Sequence, residues 1–507
     1  MEFKSEIRLS KVNDLLEKVQ KRSYGKYLLK ISLEKARAFK EKSITFDFPV
    51  TAIVGVNGGG KTTVLGAAAC AYKTVKPSLF FAKSGRFDSS MQNWKFEYEL
   101  IDKEIKKSDS IRRIAKFARS KWSREWKVEG DKERVVAVFG VSRTVPANER
   151  PELKQCASNT FDVAPESIDE ISSGVAKAVA SILDKDISAF SFLRVDTRGR
   201  VTLLAGQTSA GDSYSEFHFG AGESSIIRMA IKLETIPENS LVLIEEIENG
   251  LHPVATVRMV EYLIDLAIRR KIQVIFTTHS NDALKPLPDQ AIWAVANGSL
   301  YQGKLDIGSL RAISGQIDSR LVVFVEDIFA KTWVEEILRS LPGVAMDAVS
   351  VHAMEGDGTA VTVHRGRKLD PSVSQPSVCL IDGDSKQHES VTDSIHRLPG
   401  QSPESYIYDK VIEKLDDISG ELAVALLRPY EEEAKVADIV RSVRNTNRDP
   451  HVLYSQVGKK LKFIPEARVR EAFINLWART FKDEVQAIIQ PFLNKIPLEN
   501  TQERIAR

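Results

Sequence analysis

Gly55-Val56-Asn57-Gly58-Gly59-Gly60-Lys61-Thr62 is the stretch whose reading decides the fold. It follows the apolar, strand-like run Thr51-Ala52-Ile53-Val54 and precedes Thr62 to Tyr72, which is rich in Ala and Leu and reads as a helix. Strand, glycine loop and helix in that order make an anion cradle, because consecutive backbone N–H groups and a helix N-terminus point at phosphate oxygens. Asn57, Gly58, Gly59 and Gly60 would line the cradle, Lys61 would reach the β and γ phosphates of ATP, Thr62 would hold Mg²⁺, and Thr63 follows in the first turn.

Outward from this loop, the upstream side has a helical pattern over residues 6 to 22 and then strand-like runs at Tyr27 to Leu33 and Ile44 to Phe48. Downstream, Phe96 to Leu100 and Val135 to Val141 read as strands with a basic, helix-like segment between them, and 163 to 186 reads as a helix. Leu241-Val242-Leu243-Ile244-Glu245-Glu246 is a buried-strand pattern ending in two carboxylates. Glu245 would sit near Mg²⁺, and Glu246 would orient or deprotonate an attacking water. Phe219-Gly220-Ala221-Gly222-Glu223-Ser224 opens a helix, and Val274-Ile275-Phe276-Thr277-Thr278 ends at His279, a polar residue placed to face a γ-phosphate.

In this order, the phosphate loop, glycine signature, acidic strand and strand-end His resemble an ABC-type ATPase, including the SMC and DNA-repair branch. Asn249-Gly250-Leu251-His252-Pro253 resembles the loop that meets a second subunit. The resemblance implies an ATP-bound dimer in which Gly222 and Glu223 of one subunit close over nucleotide held by the other. Two residues depart from the family pattern: Gly220 stands where Ser is usual, and Glu245 where Asp is usual. Gln92 is the candidate for the family's phosphate-facing glutamine. No long heptad run is present, which argues against a coiled-coil arm.

A second α/β block opens near Leu321, where Leu321-Val322-Val323-Phe324-Val325 runs into Glu326 and Asp327. A later apolar strand, Val378-Cys379-Leu380-Ile381, runs into Asp382-Gly383-Asp384-Ser385. Alternate residues at a strand end face the same way, so Asp382 and Asp384 can share one divalent cation, with Glu326 from the neighbouring strand. Such an edge suits metal-assisted phosphodiester chemistry. A Glu on one strand and Asp-x-Asp on a later one resembles a Toprim domain, and Toprim after an ABC-type ATPase resembles the OLD nuclease family, with its Gabija-like and retron-associated relatives. The resemblance makes Glu326, Asp382 and Asp384 catalytic and metal-binding, adds Glu404 as a later acidic ligand and Ser385 as a polar helper, and allows a C-terminal lysine such as Lys459 or Lys460. Members often carry a second Glu where this chain has Ala330, and Asp327 could compensate. Glu355-Gly356-Asp357-Gly358 reads as a structural acidic turn.

The expected fold class is therefore α/β: an ABC-type ATPase domain over 1–315 with an insertion at about 95–200, a Toprim-like domain over 316–415, and a helical region over 416–507. Within the last, Val469, Phe473, Leu476, Thr480, Val485 and Ile488 approximate one helix stripe. The implied activity is an ATP-regulated, Mg²⁺-dependent endonuclease in bacterial anti-phage defence. The alternative is an ATPase sensor or scaffold whose inactive Toprim block controls a separate effector. Expected partners are nucleic acid, with DNA ahead of RNA, a homodimer or higher homo-oligomer, and an operon-encoded helicase, reverse transcriptase or other effector.

Bulk composition restricts these readings. A chain of 507 residues with 43% apolar content can build two or three cores. Its net charge is +3, from 72 basic and 69 acidic residues, so any polyanion surface must be local. Residues 106 to 127 hold nine Lys or Arg against two acids, and residues 435 to 482 hold eleven against four. Cys70, Cys156 and Cys379 are scattered, which suits a reducing compartment and no zinc site. The charged start without a signal-type apolar core, and the lack of a membrane-length apolar run, lead to the expectation of a cytoplasmic protein with no membrane partner.

Overall fold

The computed structural model describes residues 9 to 498 except 83–92, 108–109, 120, 127–132, 159–161, 197, 200, 209–210, 297, 304–318, 355, 357, 370–372 and 374. The chain divides into two units, Met1–Ile307 and Gly308–Arg507.

Unit 1 runs α1 (Leu9–Gln20), β1 (Lys26–Ala36), β2 (Phe39–Thr45), β3 (Val50–Gly55), α2 (Lys61–Cys70), β4 (Trp94–Asp102), β5 (Ile111–Ala118), β6 (Lys121–Arg124) and β7 (Val136–Phe139). It continues through α3 (Lys154–Ser158), β8 (Ile168–Glu170), α4 (Ser173–Leu183), β9 (Ser191–Arg194), β10 (Thr202–Gln207) and β11 (Ser213–Ser215). The last stretch is α5 (Ala221–Glu234), β12 (Leu241–Ile244), α6 (Pro253–Arg270), β13 (Gln273–Thr278), β14 (Ile292–Ala296) and β15 (Ser299–Gln302).

The central sheet has the order β15-β14-β3-β13-β12-β7, parallel throughout except for the β14–β15 pair. Every residue of β3, β12, β13 and β14 is buried, as expected for parallel strands covered on both faces. A second, antiparallel sheet runs β2-β1-β4-β5-β6, and a third runs β11-β10-β9-β8. In β4 the buried residues Trp94, Phe96, Tyr98 and Leu100 alternate with half-buried Lys and Glu, the period of a strand with one covered face.

The basic segment read as helix-like is instead the β5–β6 hairpin. Its determining feature is a period of two: Arg113, Ala115 and Phe117 face inward, and Arg113 Nη1 donates to the Ala71 carbonyl at 3.0 Å. Arg124 likewise donates to the Val75 carbonyl at 2.7 Å, so part of the basic excess serves the fold. The stretch about 95–200, read as an insertion, contributes β4 to β6 to the antiparallel sheet and β7 to an edge of the central sheet.

Unit 2 begins with β16 (Leu321–Val325), α7 (Ile328–Ser340), β17 (Val349–Ala353), α8 (Thr359–Lys368), β18 (Ser377–Ile381) and β19 (Ile395–Arg397). The four strands are parallel in the order β17-β16-β18-β19. There follow α9 (Pro403–Glu413), α10 (Leu415–Ala425), α11 (Glu433–Thr446), α12 (Leu453–Lys460), α13 (Glu466–Thr480) and α14 (Lys482–Ile489). The stripe read as one helix is two, broken at Phe481 (φ −109, ψ 58); Val469, Phe473 and Leu476 are buried from α13 and Val485 from α14. These helices share one core with the sheet, centred on Trp333, fully buried and edge-on to Trp477 at 5.3 Å between centroids.

Replacing Trp333 with Ala removes this centre. Its expected cost is about 3–5 kcal/mol for unit 2. Urea unfolding followed through unit 2 measures it, and a loss below about 1 kcal/mol would show that the helices do not depend on this core.

Candidate functional site

The C-terminal ends of β3, β13, β12 and β7 lie side by side and carry the candidate residues of unit 1. β3 runs into the phosphate loop, where Gly60 takes φ +109 and α2 begins at Lys61 with no side-chain cap, so the helix end is open to an anion. Asn57 and Gly58 are exposed, Gly59 is half-buried, Thr62 is exposed, and buried Thr63 accepts from Arg37 Nη1 at 3.4 Å.

Lys61 is buried. Its Nζ donates to the carbonyls of Gly55 (3.0 Å) and Val56 (3.2 Å) and lies 2.7 Å from His279 Nε2. Glu246 Oε1 lies 3.0 Å from the same ring nitrogen. That nitrogen serves one partner at a time: it accepts from Lys61 in one tautomer or donates to Glu246 in the other. Burial pulls Lys61 below the ordinary lysine value, with Glu246 and Glu248 opposing the shift.

Glu246 adopts φ +47, an uncommon conformation for a residue with a Cβ. Two hydrogen bonds hold it there: its N–H donates to Thr277 Oγ1 at 2.9 Å, and its carbonyl accepts from Arg143 Nη2 at 2.6 Å. Arg143 Nη1 also donates to the carbonyls of Glu245 (2.6 Å) and Gly140 (3.1 Å). Burial pulls this guanidinium down, while Glu248, Glu245 and Glu246 oppose it. Glu248 accepts from the His279 N–H at 2.6 Å and from Thr278 Oγ1 at 2.8 Å, fixing the strand end that bears the imidazole. Sequence reasoning misses Arg143, Thr277 and Glu248, although Glu248 stands two residues beyond the acidic pair and Arg143 follows a third apolar strand. Gln92 lies outside the described residues.

The glycine signature opens α5, and its backbone touches the turn after β12. A Cβ on Gly222 would lie 1.9 Å from the Gly250 carbonyl oxygen, and Gly250 itself takes φ +80. Glu223 is paired with Lys185 at 2.6 Å. Beneath the helix, fully buried Glu216 takes hydrogen bonds from Arg150 (2.9 Å), Arg228 Nε (2.7 Å), Ser224 Oγ and the Leu204 amide (3.0 Å). Burial alone would raise this carboxyl, but Arg228, Ser224 and Leu204 together hold it below the ordinary value.

In unit 2, β16 and β18 are neighbours with Val325 opposite Leu380, so Glu326 and Asp382 leave adjacent strand ends. Both are buried, whereas Asp384 is exposed. Asp382 Oδ1 is enclosed and has no hydrogen-bond partner among the described residues. Its carboxyl is pushed up to about 8 by burial first and then by Asp327, Glu326, Glu404 and Asp384. The four predicted carboxylates therefore share one electrostatic field. Among the described residues, however, no three His, Cys, Asp or Glu side chains are placed to hold a metal ion. The two findings are compatible, because a Coulomb field reaches over several ångströms while coordination needs oxygens about 2 to 2.6 Å from the ion.

Glu404, in the first turn of α9, lies 3.0 Å from His451 Nδ1, and its carbonyl accepts from Tyr454 at 2.8 Å. Asp327 caps α7, one oxygen accepting the Ala330 N–H at 2.8 Å, and Ala330 is fully buried. Lys460 is held by Ser442 Oγ on α11 at 3.1 Å. Glu355 and Asp357 lie outside the described residues. Sequence reasoning misses Arg397, whose Nη1 donates to the carbonyls of Asp382 (2.8 Å), Gly383 (2.9 Å) and Ser385 (3.0 Å). Gly383 allows a backbone contact here, since a Cβ on it would meet the Gly400 carbonyl oxygen at 1.6 Å.

Residues 30–155 match the family described as "AAA domain", and residues 158–284 match "AAA domain, putative AbiEii toxin, Type IV TA system". No curated protein matches the chain. Among solved structures, the SMC head domain from Thermotoga maritima is 14% identical with a TM-score of 0.34, covering 54% of this chain and 97% of its own. An SMC head domain with an extended coiled coil bound to the C-terminal domain of ScpA, derived from Pyrococcus furiosus, is 12% identical at 0.37, covering 57% and 98%. The recombination mediator RecF with ATP is 10% identical at 0.35, covering 55% and 98%. Among the described residues, no helix is long and apolar enough to cross a membrane.

The raised Asp382 carboxyl sets a pH dependence. Between its ordinary 3.8 and about 8, the folded protein binds more protons than the unfolded chain, so stability falls as pH rises through that window. Asp382→Asn, neutral throughout, should lose this slope and melt higher than wild type at pH 8 by on the order of 5 °C in metal-free buffer. Parallel Tm-against-pH curves for the two proteins would refute the shared field. In unit 1, Gly222→Ala drives a Cβ into Gly250 and should reduce ATP turnover at least about tenfold while leaving unit 2 folded. ATPase assays and separate unfolding transitions check this.

Proposed function

Starting from an ATPase domain of the AAA/ABC type spanning the two family matches at residues 30–284, we propose that this chain is an ATP-regulated, Mg²⁺-dependent nuclease. In this reading, the nucleotide-binding unit controls a cutting site on unit 2. The observation that carries it is the gathering of Asp327, Glu326, Glu404 and Asp384 around the buried carboxyl of Asp382, whose Oδ1 has no hydrogen-bond partner among the described residues. Negative charge concentrated at parallel strand ends calls for a divalent cation, which, when bound, supplies a metal-activated water and stabilises a leaving oxygen. Glu326 and Asp382, from neighbouring strands, would hold that ion, Asp384 would meet it from solvent, and Arg397 would fix the Asp382–Ser385 backbone.

In unit 1, Lys61 would leave the Gly55 and Val56 carbonyls for the β and γ phosphates. That movement frees His279 Nε2, which can then donate to Glu246 and aim its carboxylate at water. Thr62 and Glu245 would complete the Mg²⁺ contacts. The Gly222–Glu223 end of α5 would close over nucleotide in a second copy, making the active form a homodimer or larger. Nucleic acid is the substrate class, DNA ahead of RNA, with exposed Lys107, Arg112, Arg119 and Lys121 available for phosphate contacts. Defence against phage, and an operon-encoded partner, rest on the family resemblance alone.

Two observations favour a second reading, in which unit 2 is inactive and the ATPase holds or releases another effector. Buried Ala330 supplies no carboxylate at the position where the resembled family often carries a second Glu, and no metal group is assembled among the described residues.

Plasmid cleavage with Mg²⁺ separates the readings: wild type should nick DNA and Asp382→Ala should lose at least about a hundredfold. Equal nicking by the two proteins would remove the assignment of Asp382, and no cleavage by either on DNA, RNA or tRNA while ATP is still hydrolysed selects the scaffold reading. Lys61→Ala should lower ATP turnover at least about a hundredfold and alter cleavage or assembly with it. Unchanged cleavage, assembly and ATP response would show the two units to be uncoupled.

A further inference from the structure

The parallel ladder between β7 and β12 runs as far as Glu245, whose N–H donates to the Phe139 carbonyl at 2.8 Å. One residue later the chain leaves extended geometry, with Glu246 at φ +47. Arg143, in the turn after β7, takes over there from the strand: Nη1 donates to the Glu245 carbonyl and Nη2 to the Glu246 carbonyl, each at 2.6 Å. The guanidinium is itself braced, since Nη1 also donates to the Gly140 carbonyl at 3.1 Å. A planar fork on two consecutive carbonyls fixes the orientation of the peptide between them, which a single point donor would leave free to turn. That peptide decides where two carboxylates go. Glu245 lies over the end of β7, its Oε2 3.5 Å from the place a Cβ on Gly140 would occupy, and Glu246 reaches His279, with Oε1 3.0 Å from Nε2. Thr277 Oγ1 holds Glu246 from the β13 side by accepting its N–H at 2.9 Å. A left-handed residue with a Cβ is strained relative to its extended form, so without these holds the peptide relaxes and the carboxylate moves.

We propose that Arg143 is a positioning residue for ATP hydrolysis, acting through the Glu245–Glu246 peptide to keep the Glu246 carboxylate aimed at the attacking water. The inference rests on the reading of Glu246 as the group that orients that water, and it stands independently of the nuclease reading. Both terminal nitrogens of Arg143 are spent on main-chain oxygens, so it works on the acidic turn and leaves nucleotide affinity to Lys61 and the phosphate loop. Lysine is therefore no substitute. One ammonium keeps the positive charge beside Glu245, Glu246 and Glu248 but cannot hold two carbonyls in a fork.

The test is a double-mutant cycle in the full chain, read as ATP hydrolysis per titrated nucleotide-binding site so that misfolded protein does not count. Arg143→Lys should lower kcat at least about tenfold while KM for ATP stays within about twofold of wild type. In a Glu246→Gln background the same change should have no further effect, because the carboxylate it positions is gone. Arg143→Gln, which keeps a donor without the charge, replaces the lysine variant if that protein fails to fold. A wild-type kcat in Arg143→Lys, or the same fold-loss with and without the Glu246 carboxylate, would overturn the proposal. Full turnover in Glu246→Gln alone would instead remove the reading of Glu246, and the proposal with it.

Discussion

Unit 1 depends on how a lysine ammonium is kept inside the protein. A buried charge is tolerated only when hydrogen-bonded and compensated, and Lys61 obtains this from two loop carbonyls and from Glu246 across His279. Each compensating group needs its own support. Glu246 needs Thr277 and Arg143 to stay in a left-handed turn, and His279 needs Glu248 beneath its backbone. The strand order β3-β13-β12-β7 brings these groups together, one strand end at a time. The site is thus a row of alternating charges laid across a sheet edge.

Unit 2 has the opposite imbalance. Its strand ends collect carboxylates, and the guanidinium of Arg397 spends its donors on carbonyls of the Asp382–Gln387 loop. The loop is therefore held in shape while its charge is left uncompensated, and the neutral form of Asp382 results. Unit 1 thus presents a compensated cation at its strand ends, and unit 2 a group of uncompensated carboxylates.

Motifs that are contiguous in sequence were legible from it. The phosphate loop, the acidic strand, His279 and the Asp382–Ser385 turn each combine an apolar run with the residues at its end, and parallel strands present such ends at one edge. Groups that act on main-chain carbonyls were not. Arg143 meets Glu246 across 103 positions, and nothing in its local sequence marks it. The charge run at 106–127 misleads for a related reason: counting charges ignores direction, and alternate residues of β5 point into the core, Arg113 among them. Asp327 shows the same limit, since its place beside Glu326 suggests a ligand while the structure uses one oxygen to cap α7.

The contact between Gly222 and Gly250 joins α5 to the turn after β12 through main chain alone. Side chains that meet can absorb a small displacement by changing rotamer, but two backbones in contact have no such play. A shift of the helix end is passed to the turn at full amplitude, as through a hinge without clearance. Whatever displaces Gly222 thereby acts on the segment that carries Glu246 and Glu248.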